Sequence, residues 1–290
     1  MKINQLKYVL FILIQSVVYG IGNPMTKVAF RSITPLWMLT ARFMFASILF
    51  ILFAGKQMLA QMKRVRWNIW LPPSLCCAGA YISCNIALNL TAATNVGFIM
   101  SLPVLFAPIL SVIVLHRHYE TKRIPIQMMI IIGLFLLCSN GGEFSFGWGE
   151  VFALIDALCL AGLLVFGEQA MTQMDVLSLT GLQVIITAVI SLAGAIAFED
   201  ASILPTVHTE AWLVTLYLAC ICTIVAYLLQ NTAVNHLSAT TVSMLQCTQP
   251  ILTAIISFVI LGEILSGRGF FGAVIILTCL LADSWTEKEV

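Results

Sequence analysis

Long apolar runs, separated by short polar breaks, constrain this chain more than any other feature of its sequence. Only 9% of its 290 residues are charged, whereas a soluble domain carries about 25%. So few charged side chains cannot cover a globule of this size, and the remaining apolar surface would aggregate in water. A soluble enzyme and a disordered chain are therefore excluded, and we expect the lipid bilayer to be the main solvent.

The apolar runs predict an all-α integral membrane protein with ten transmembrane helices. A helix needs about 20 mostly apolar residues to cross the hydrocarbon region, and charges and turn residues divide the chain into roughly ten such pieces. The runs are continuous and lack the alternation of a transmembrane β-barrel. The predicted spans are 6–26, 34–54, 69–90, 94–115, 124–141, 149–171, 178–198, 210–230, 236–262 and 266–284.

The distribution of lysine and arginine predicts the orientation of these spans. With the N-terminus inside, ten of the 14 basic residues fall in inner loops and three in outer loops, while Arg42 lies within the second span. Positively charged loops stay on the cytoplasmic side, so an even number of spans places both termini in the cytoplasm. The net charge of +1 offers no basic face for nucleic acid.

The two halves of the chain resemble each other. Segments 89–103 and 235–250 each contain a small polar turn, an apolar helix and a proline in mid-span, Pro103 in the first and Pro250 in the second. Five spans are an odd number, so the second half would enter the membrane upside down relative to the first. Such inverted repeats suit alternating access. A duplication that only stabilises a bundle is the alternative.

Matching positions in both halves carry a resemblance to a known family. They are Tyr19-Gly20, Lys27, Pro35, Arg42, Ala87, Thr91-Ala92-Ala93 and Pro103, then Gly149-Glu150, Ala153-Leu154, Leu237-Ser238-Ala239, Gln249-Pro250, Leu261-Gly262-Glu263 and Gly272. The chain resembles EamA-type members of the drug/metabolite transporter superfamily, with one repeat over 8–139 and an inverted repeat over 149–283. It departs from the family pattern at 115–118, where Gly-Glu is usual. The resemblance implies ten helices, a central cavity and export of amino acids or other small metabolites across a bacterial inner membrane.

Polar side chains within the spans are the candidate substrate-binding residues, because they are costly in lipid and tend to face an internal cavity. Asp156 is also a candidate proton-coupling site or cation partner, with a fixed pair to Arg42 as the alternative. For serine and threonine we favour interhelical hydrogen bonding instead. The predicted substrate-binding residues are Tyr19, Asn23, Tyr81, Asn85, Met100, Asp156, Tyr227, Asn231 and Gln246.

Glycine and proline predict breaks in three spans. A proline removes one backbone hydrogen bond and bends the helix. We expect Gly20 and Pro24 to interrupt the first span, Pro103 the fourth and Pro250 the ninth, and we assign these four residues as hinges. The freed carbonyls can face a cavity, so the first, third, fourth, sixth, eighth and ninth spans should line the substrate path.

The expected function is that of a secondary transporter that exports small metabolites, with amino acids among the candidates. Protons are a candidate coupling ion, and we expect a monomer or homodimer without cofactor or metal, since the sequence contains no phosphate-binding loop or metal-ligand motif. A nucleotide-sugar or organic-phosphate exchanger is the first alternative, but it would need several basic residues in the cavity. An intramembrane enzyme is the second, and it would need clustered titratable residues deep in the membrane.

Overall fold

The computed structural model describes residues 3–91, 93–119, 121–138, 147–261 and 267–286, and all regular secondary structure in these ranges is helical. Two 3₁₀ turns, Thr121–Arg123 and Ala201–Thr206, connect helices, and a π-helical segment, Leu218–Val225, joins α9 to α10. The helices are α1 (Ile3–Ala29), α2 (Pro35–Arg64), α3 (Trp67–Leu90), α4 (Ala93–Ile99), α5 (Pro103–Leu115), α6 (Ile124–Cys138), α7 (Trp148–Ala170), α8 (Val176–Phe198), α9 (Thr209–Tyr217), α10 (Ala226–Val234), α11 (Ala239–Gln246), α12 (Gln249–Leu261) and α13 (Gly267–Thr286).

Seven helical stretches of the described chain are long and apolar enough to cross a membrane. They correspond to the first four predicted spans and to the sixth, seventh and eighth. The fifth predicted span is described only as far as Cys138, the ninth is divided between α11 and α12, and the tenth coincides with the shorter apolar helix α13. The all-helical membrane fold is therefore confirmed, while the count of ten spans stays a prediction.

The outer surface of the bundle is strongly apolar. Large side chains point away from the protein, with Leu52 73%, Phe53 85% and Phe198 84% exposed. A soluble monomer rarely exposes apolar patches of more than a few hundred Å². Lipid chains are the solvent in which this surface is stable.

Helices of the first half pack largely on helices of the second. The main contacts pair α2 with α8, α3 with α7 and α6 with α13, and α1 packs against both α10 and α12. Glycine allows some of these helices to approach closely, because a Cβ atom at Gly20 would lie 3.3 Å from both Leu252 Cβ and Thr253 N on α12. Gly20 is thus a packing position between α1 and α12, and its predicted role as a hinge stays untested.

The fourth and ninth predicted spans are each broken just before a proline. Helix α4 ends at Ile99 and α5 begins at Pro103, while α11 ends at Gln246 and α12 begins one residue before Pro250. Helix α1, in contrast, continues without a break through Pro24. The predicted interruption of the first span is therefore wrong, because a proline removes only one backbone hydrogen bond and the flanking helical bonds persist around it.

Carboxylates connect the helices at the predicted outer face. Glu199 follows α8 and accepts hydrogen bonds from Thr34 Oγ1 and from the backbone N–H groups of Leu36 and Trp37, and it thereby caps the first turn of α2. In the same connection, Ser202 donates from its backbone and its hydroxyl to Asp200, which lowers the pKa of that carboxyl group.

Helix α7 carries a glutamate at each end, and each one contacts the chain at the start of a short helix. Thr91, which precedes α4, donates its hydroxyl to Glu150; we call this pair the outer contact. At the other end, Glu168 pairs with Arg117 at 2.6 Å and accepts a 2.8 Å hydrogen bond from the backbone N–H of Ala239, the first residue of α11. We call this group of three residues the inner contact.

Candidate functional site

A buried arginine lies between the spans near the middle of the bundle. Arg42 comes from α2 and is only 5% exposed. Its Nε atom donates a 2.6 Å hydrogen bond to Thr223 Oγ1, and its Nη2 atom is buried without a hydrogen-bond partner in the described part of the chain. Both Arg42 and Asp156 are described residues, and they form no ion pair. The alternative of a fixed pair between them is therefore wrong.

Aromatic rings surround this guanidinium group. Its Cζ atom lies 5.1 Å from the centroid of the Tyr81 ring and 5.4 Å from that of Phe43, within the range of cation–π attraction. The hydroxyl groups of Tyr81 and Tyr19 are 2.9 Å apart, and the rings of Tyr81 and Tyr227 meet edge to face at 6.3 Å. We call the whole group the arginine cluster: Tyr19, Arg42, Phe43, Tyr81, Thr223 and Tyr227.

The π-helical segment positions the eighth-span members of this cluster. Thr223 Oγ1 donates a 3.0 Å hydrogen bond to Leu218 O, five residues earlier, so its lone pair remains free to accept from Arg42. Tyr227 follows one turn later in α10 and is fully buried; its hydroxyl faces the Cys77 thiol and has no stronger hydrogen-bond partner among the described residues. π-Helical turns often occur at functional sites, where they alter the direction of side chains.

A second polar group adjoins the arginine cluster. Asp156 of α7 is buried, and its Oδ2 atom has no hydrogen-bond partner within the ranges that the structure describes. The Cys84 thiol faces this carboxylate and lies 3.9 Å from Met100 Sδ. Asn85 donates a 2.7 Å hydrogen bond to Tyr81 O, which leaves its own Oδ1 atom buried and unpaired.

Three glutamines meet about one helical turn from the arginine cluster, toward the predicted cytoplasmic face. Gln15 donates to Gln230 Oε1 at 2.8 Å, and Gln246 donates to the same oxygen at 3.1 Å. We call these residues the glutamine cluster. Because they come from α1, α10 and α11, their amide groups hold these helices together directly below the arginine cluster.

The structure brings several predicted site residues together and separates others. Tyr19, Tyr81 and Tyr227 share the arginine cluster. Asn231 lies elsewhere, because it donates to Thr180 Oγ1 at 2.9 Å and to Gln183 Oε1 at 2.8 Å and so joins α10 to α8.

The remaining predicted residues are distributed along the same interior. Asn85, Met100 and Asp156 lie beside Cys84, Gln246 belongs to the glutamine cluster, and Asn23 is half-buried one turn beyond Tyr19 on α1. All of them face other helices or are at least half-buried, but substrate binding by any of them stays a prediction.

Two buried glutamines of the interior, Gln15 and Gln183, are not among the site residues that the sequence predicts. Gln15 lies four residues before Tyr19, so helical spacing along α1 could have identified it. Gln183 of α8 accepts a hydrogen bond from Asn231. The sequence of the seventh span does not indicate which helix it packs against, so this contact could not be predicted. The involvement of Phe43 is likewise visible only once α2 and α3 are packed together.

The fold and this buried polar interior define a multi-pass membrane protein of the transporter class. The EamA-like transporter family matches the chain twice, over residues 6–139 and 147–282. These two matches cover most of the chain, which therefore belongs to the EamA-like transporter family and contains two copies of its repeat.

Individual relatives are consistent with this assignment. An uncharacterized transporter from Archaeoglobus fulgidus is 23% identical over 269 residues, 93% of this chain and 83% of that protein. The uncharacterized transporter YyaM from Bacillus subtilis is 24% identical over 204 residues, 69% of this chain and 67% of that protein. A solved crystal structure matches with a TM-score of 0.81 at 15% identity, covering 97% of this chain and 98% of its own, which shows the shared fold.

Proposed function

We propose that this protein is a secondary transporter that exports small amphipathic metabolites, amino acids among them, by alternating access. The arginine cluster is the observation that carries the proposal. It places a charged group, hydroxyl groups and aromatic rings together in the interior of an otherwise apolar bundle, where a solute with a polar head and an apolar body would find partners for both parts. Intramembrane ionisable residues of this kind typically mark a substrate or ion pathway.

The proposed architecture is ten spans in two inverted repeats, over 8–139 and 149–283, in a bacterial inner membrane with both termini cytoplasmic. The pairing of helices supports this arrangement, because contacts between the halves occur in corresponding pairs: α5 packs on α7 as α1 packs on α12. The breaks before Pro103 and Pro250 also occupy corresponding positions of the two repeats. Inverted repeats with discontinuous helices place a binding site near the bilayer midplane.

Solute exchange in proteoliposomes tests this proposal. The purified protein is reconstituted and loaded with a panel of unlabelled amino acids and small organic acids, and entry of each radiolabelled counterpart is followed. We expect saturable counterflow of at least one solute, compared with protein-free vesicles prepared in the same way. Failure of every solute to exchange, with the protein correctly folded and inserted, would contradict the proposal.

Asp156 is the proposed site of proton coupling, since its buried carboxylate can take up a proton when no cation is bound nearby. We expect Asp156→Asn to retain exchange of substrate between equal pools but to lose the acceleration that a pH gradient gives the wild type. Glu210→Gln, which changes an exposed acid at the start of α9, is the matched control. Full acceleration in the Asp156 variant would show that protons are coupled elsewhere.

A further inference from the structure

We infer that the arginine cluster binds the carboxylate of an organic monoanion with an aromatic body, with Arg42 as the anion-binding residue. The inference rests on the proposed function, because it names the chemical class of solute that the transporter takes. It is carried by a buried cation with unused hydrogen-bond donors, by two tyrosine hydroxyl groups able to donate, and by the rings around them.

Among the described residues, no carboxylate forms an ion pair with Arg42, and this includes Asp156 beside the cluster. Its guanidinium group has five N–H donors, and among the described residues it has one acceptor, the neutral Thr223 hydroxyl. The rings of Tyr81 and Phe43 attract the cation but accept no strong hydrogen bonds. Burying a charge without a partner of opposite sign is costly, and a bound carboxylate would supply that partner through the bidentate geometry that guanidinium favours.

Hydroxyl groups in the cluster favour the same kind of ligand. Tyr19 and Tyr81 share one hydrogen bond, which uses the hydrogen of one hydroxyl and leaves the other free to donate. The buried Tyr227 hydroxyl faces the Cys77 thiol, a weak acceptor, and has no stronger partner among the described residues. The remaining hydroxyl hydrogen of the Tyr19–Tyr81 pair and the Nη2 group of Arg42 lack acceptors among the described residues, and the Tyr227 hydroxyl has only a weak one. A carboxylate has two oxygens with several lone pairs to offer these donors.

The same surroundings disfavour other solutes. An organic cation placed within the cluster would be repelled by Arg42, because the adjoining acid, Asp156, is not a member of the cluster. A phosphate dianion would bring a second negative charge that no further base in the cluster neutralises. The rings of Tyr19, Phe43, Tyr81 and Tyr227 favour a planar apolar body, since aromatic pairs gain from edge-to-face and offset contacts.

Binding of three matched probes tests the inference without requiring transport. The wild-type protein in lipid nanodiscs is titrated with radiolabelled 3-phenylpropionate, and unlabelled 3-phenylpropionamide and 3-phenylpropylamine are used as competitors, with empty nanodiscs as the blank. The three compounds share ring and chain and differ only in the head group. We expect saturable binding of the acid and competition by the amide and amine that is weaker by about 10- to 100-fold, the usual effect of losing a charge-assisted hydrogen bond.

Two variants assign the effect to Arg42. Arg42→Gln should weaken binding of the acid by a similar factor and leave the affinity for the amide unchanged. Arg42→Lys keeps the charge but not the planar group, so its affinity for the acid should lie between those of the wild type and Arg42→Gln. Arg66→Gln, at an exposed position between α2 and α3, is the matched control. Thermal unfolding of each preparation verifies that it is folded.

Several results would overturn the inference. These are absence of saturable binding of the acid to the wild type, an amide that competes as well as the acid, or a folded Arg42→Gln protein that binds the acid normally. The comparison of head groups uses only the wild type, so it decides the question even if the arginine variants do not fold. Solute exchange that persists in such a case would leave the proposed transport function standing and remove only the carboxylate site.

Discussion

Single amide groups fix the relative positions of helices in the inner half of this bundle. Gln230 Oε1 accepts hydrogen bonds from Gln15 and from Gln246, so one oxygen on α10 is shared by α1 and α11. Interhelical hydrogen bonds in membranes are worth only about 0.6–2 kcal/mol each, because polar groups in the unfolded state also find partners. The glutamine cluster therefore contributes to stability modestly, and its main effect is to specify which helices meet.

Gln230→Leu tests this contribution. The substitution removes the shared acceptor, and we expect the free energy of unfolding to fall by about 1–2 kcal/mol, the upper part of the range for such bonds. Denaturant unfolding of the protein in detergent micelles measures the change, with Gln169→Leu, at an exposed position near the end of α7, as the control. Equal losses in both variants would mean that the cluster adds no specific stability.

The sequence predicted which residue types occupy the interior better than it predicted their partners. Polar atoms within apolar spans avoid lipid, which predicts an interior position for Tyr19, Tyr81 and Tyr227, and the structure places all three in one cluster. The sequence also allows a pair between Arg42 and Asp156, but the two residues form no ion pair. Which polar groups meet depends on the rotation and packing of whole helices, and helical spacing within one span does not contain that information.

At the level of whole helices, proline has different consequences in different places. Pro103 begins α5 and Pro250 occupies the second position of α12, so each lies where a backbone N–H is not needed by the helix. Pro24 lies within α1, which remains continuous. The sequence identified the three prolines equally well, but only the tertiary contacts of each span decide whether its helix divides.

Pro250→Ala tests whether the break before α12 serves motion. Alanine at this position would favour continuation of the helix from α11 into α12, and we expect solute exchange to slow at least several-fold while the protein stays folded. Counterflow in proteoliposomes measures the rate. Pro72→Ala, in the continuous helix α3, serves as control, and unchanged exchange in the Pro250 variant would argue against a hinge there.

For the molecule as a whole, α7 connects the two faces. Glu150 and Glu168 are separated by 18 residues, which corresponds to about 27 Å along a helix. Glu150 makes the outer contact with Thr91, and Glu168 makes the inner contact with Arg117 and Ala239. Both contacts are present at once, and each joins α7 to the chain at the start of one of the short helices, α4 or α11. The proposed alternating access would require that they break in turn and not together.

The double variant Glu150→Gln/Glu168→Gln tests this requirement. Glutamine keeps the size of each side chain but removes the charge, so both contacts weaken and both faces can open at the same time. We expect proteoliposomes that contain the double variant to dissipate an imposed pH gradient faster than those with either single variant or with Glu210→Gln. A pH-sensitive dye trapped inside the vesicles records the decay, and tight vesicles with the double variant would contradict the expectation.

The π-helical segment Leu218–Val225 sets a limit on how this chain can change over evolutionary time. A segment of this kind corresponds to one residue more than a regular helix would hold. Because the wider turn takes up that residue, its loss by a single-codon deletion would restore regular α-helical turns and leave Tyr227 and Gln230 facing the interior. A deletion within the regular helix α10 would instead rotate everything that follows by about 100° about the helix axis. A change of one residue in length is therefore tolerated within the π-helical segment but not within α10, so homologues whose eighth span is one residue shorter should lack that residue between Leu218 and Val225.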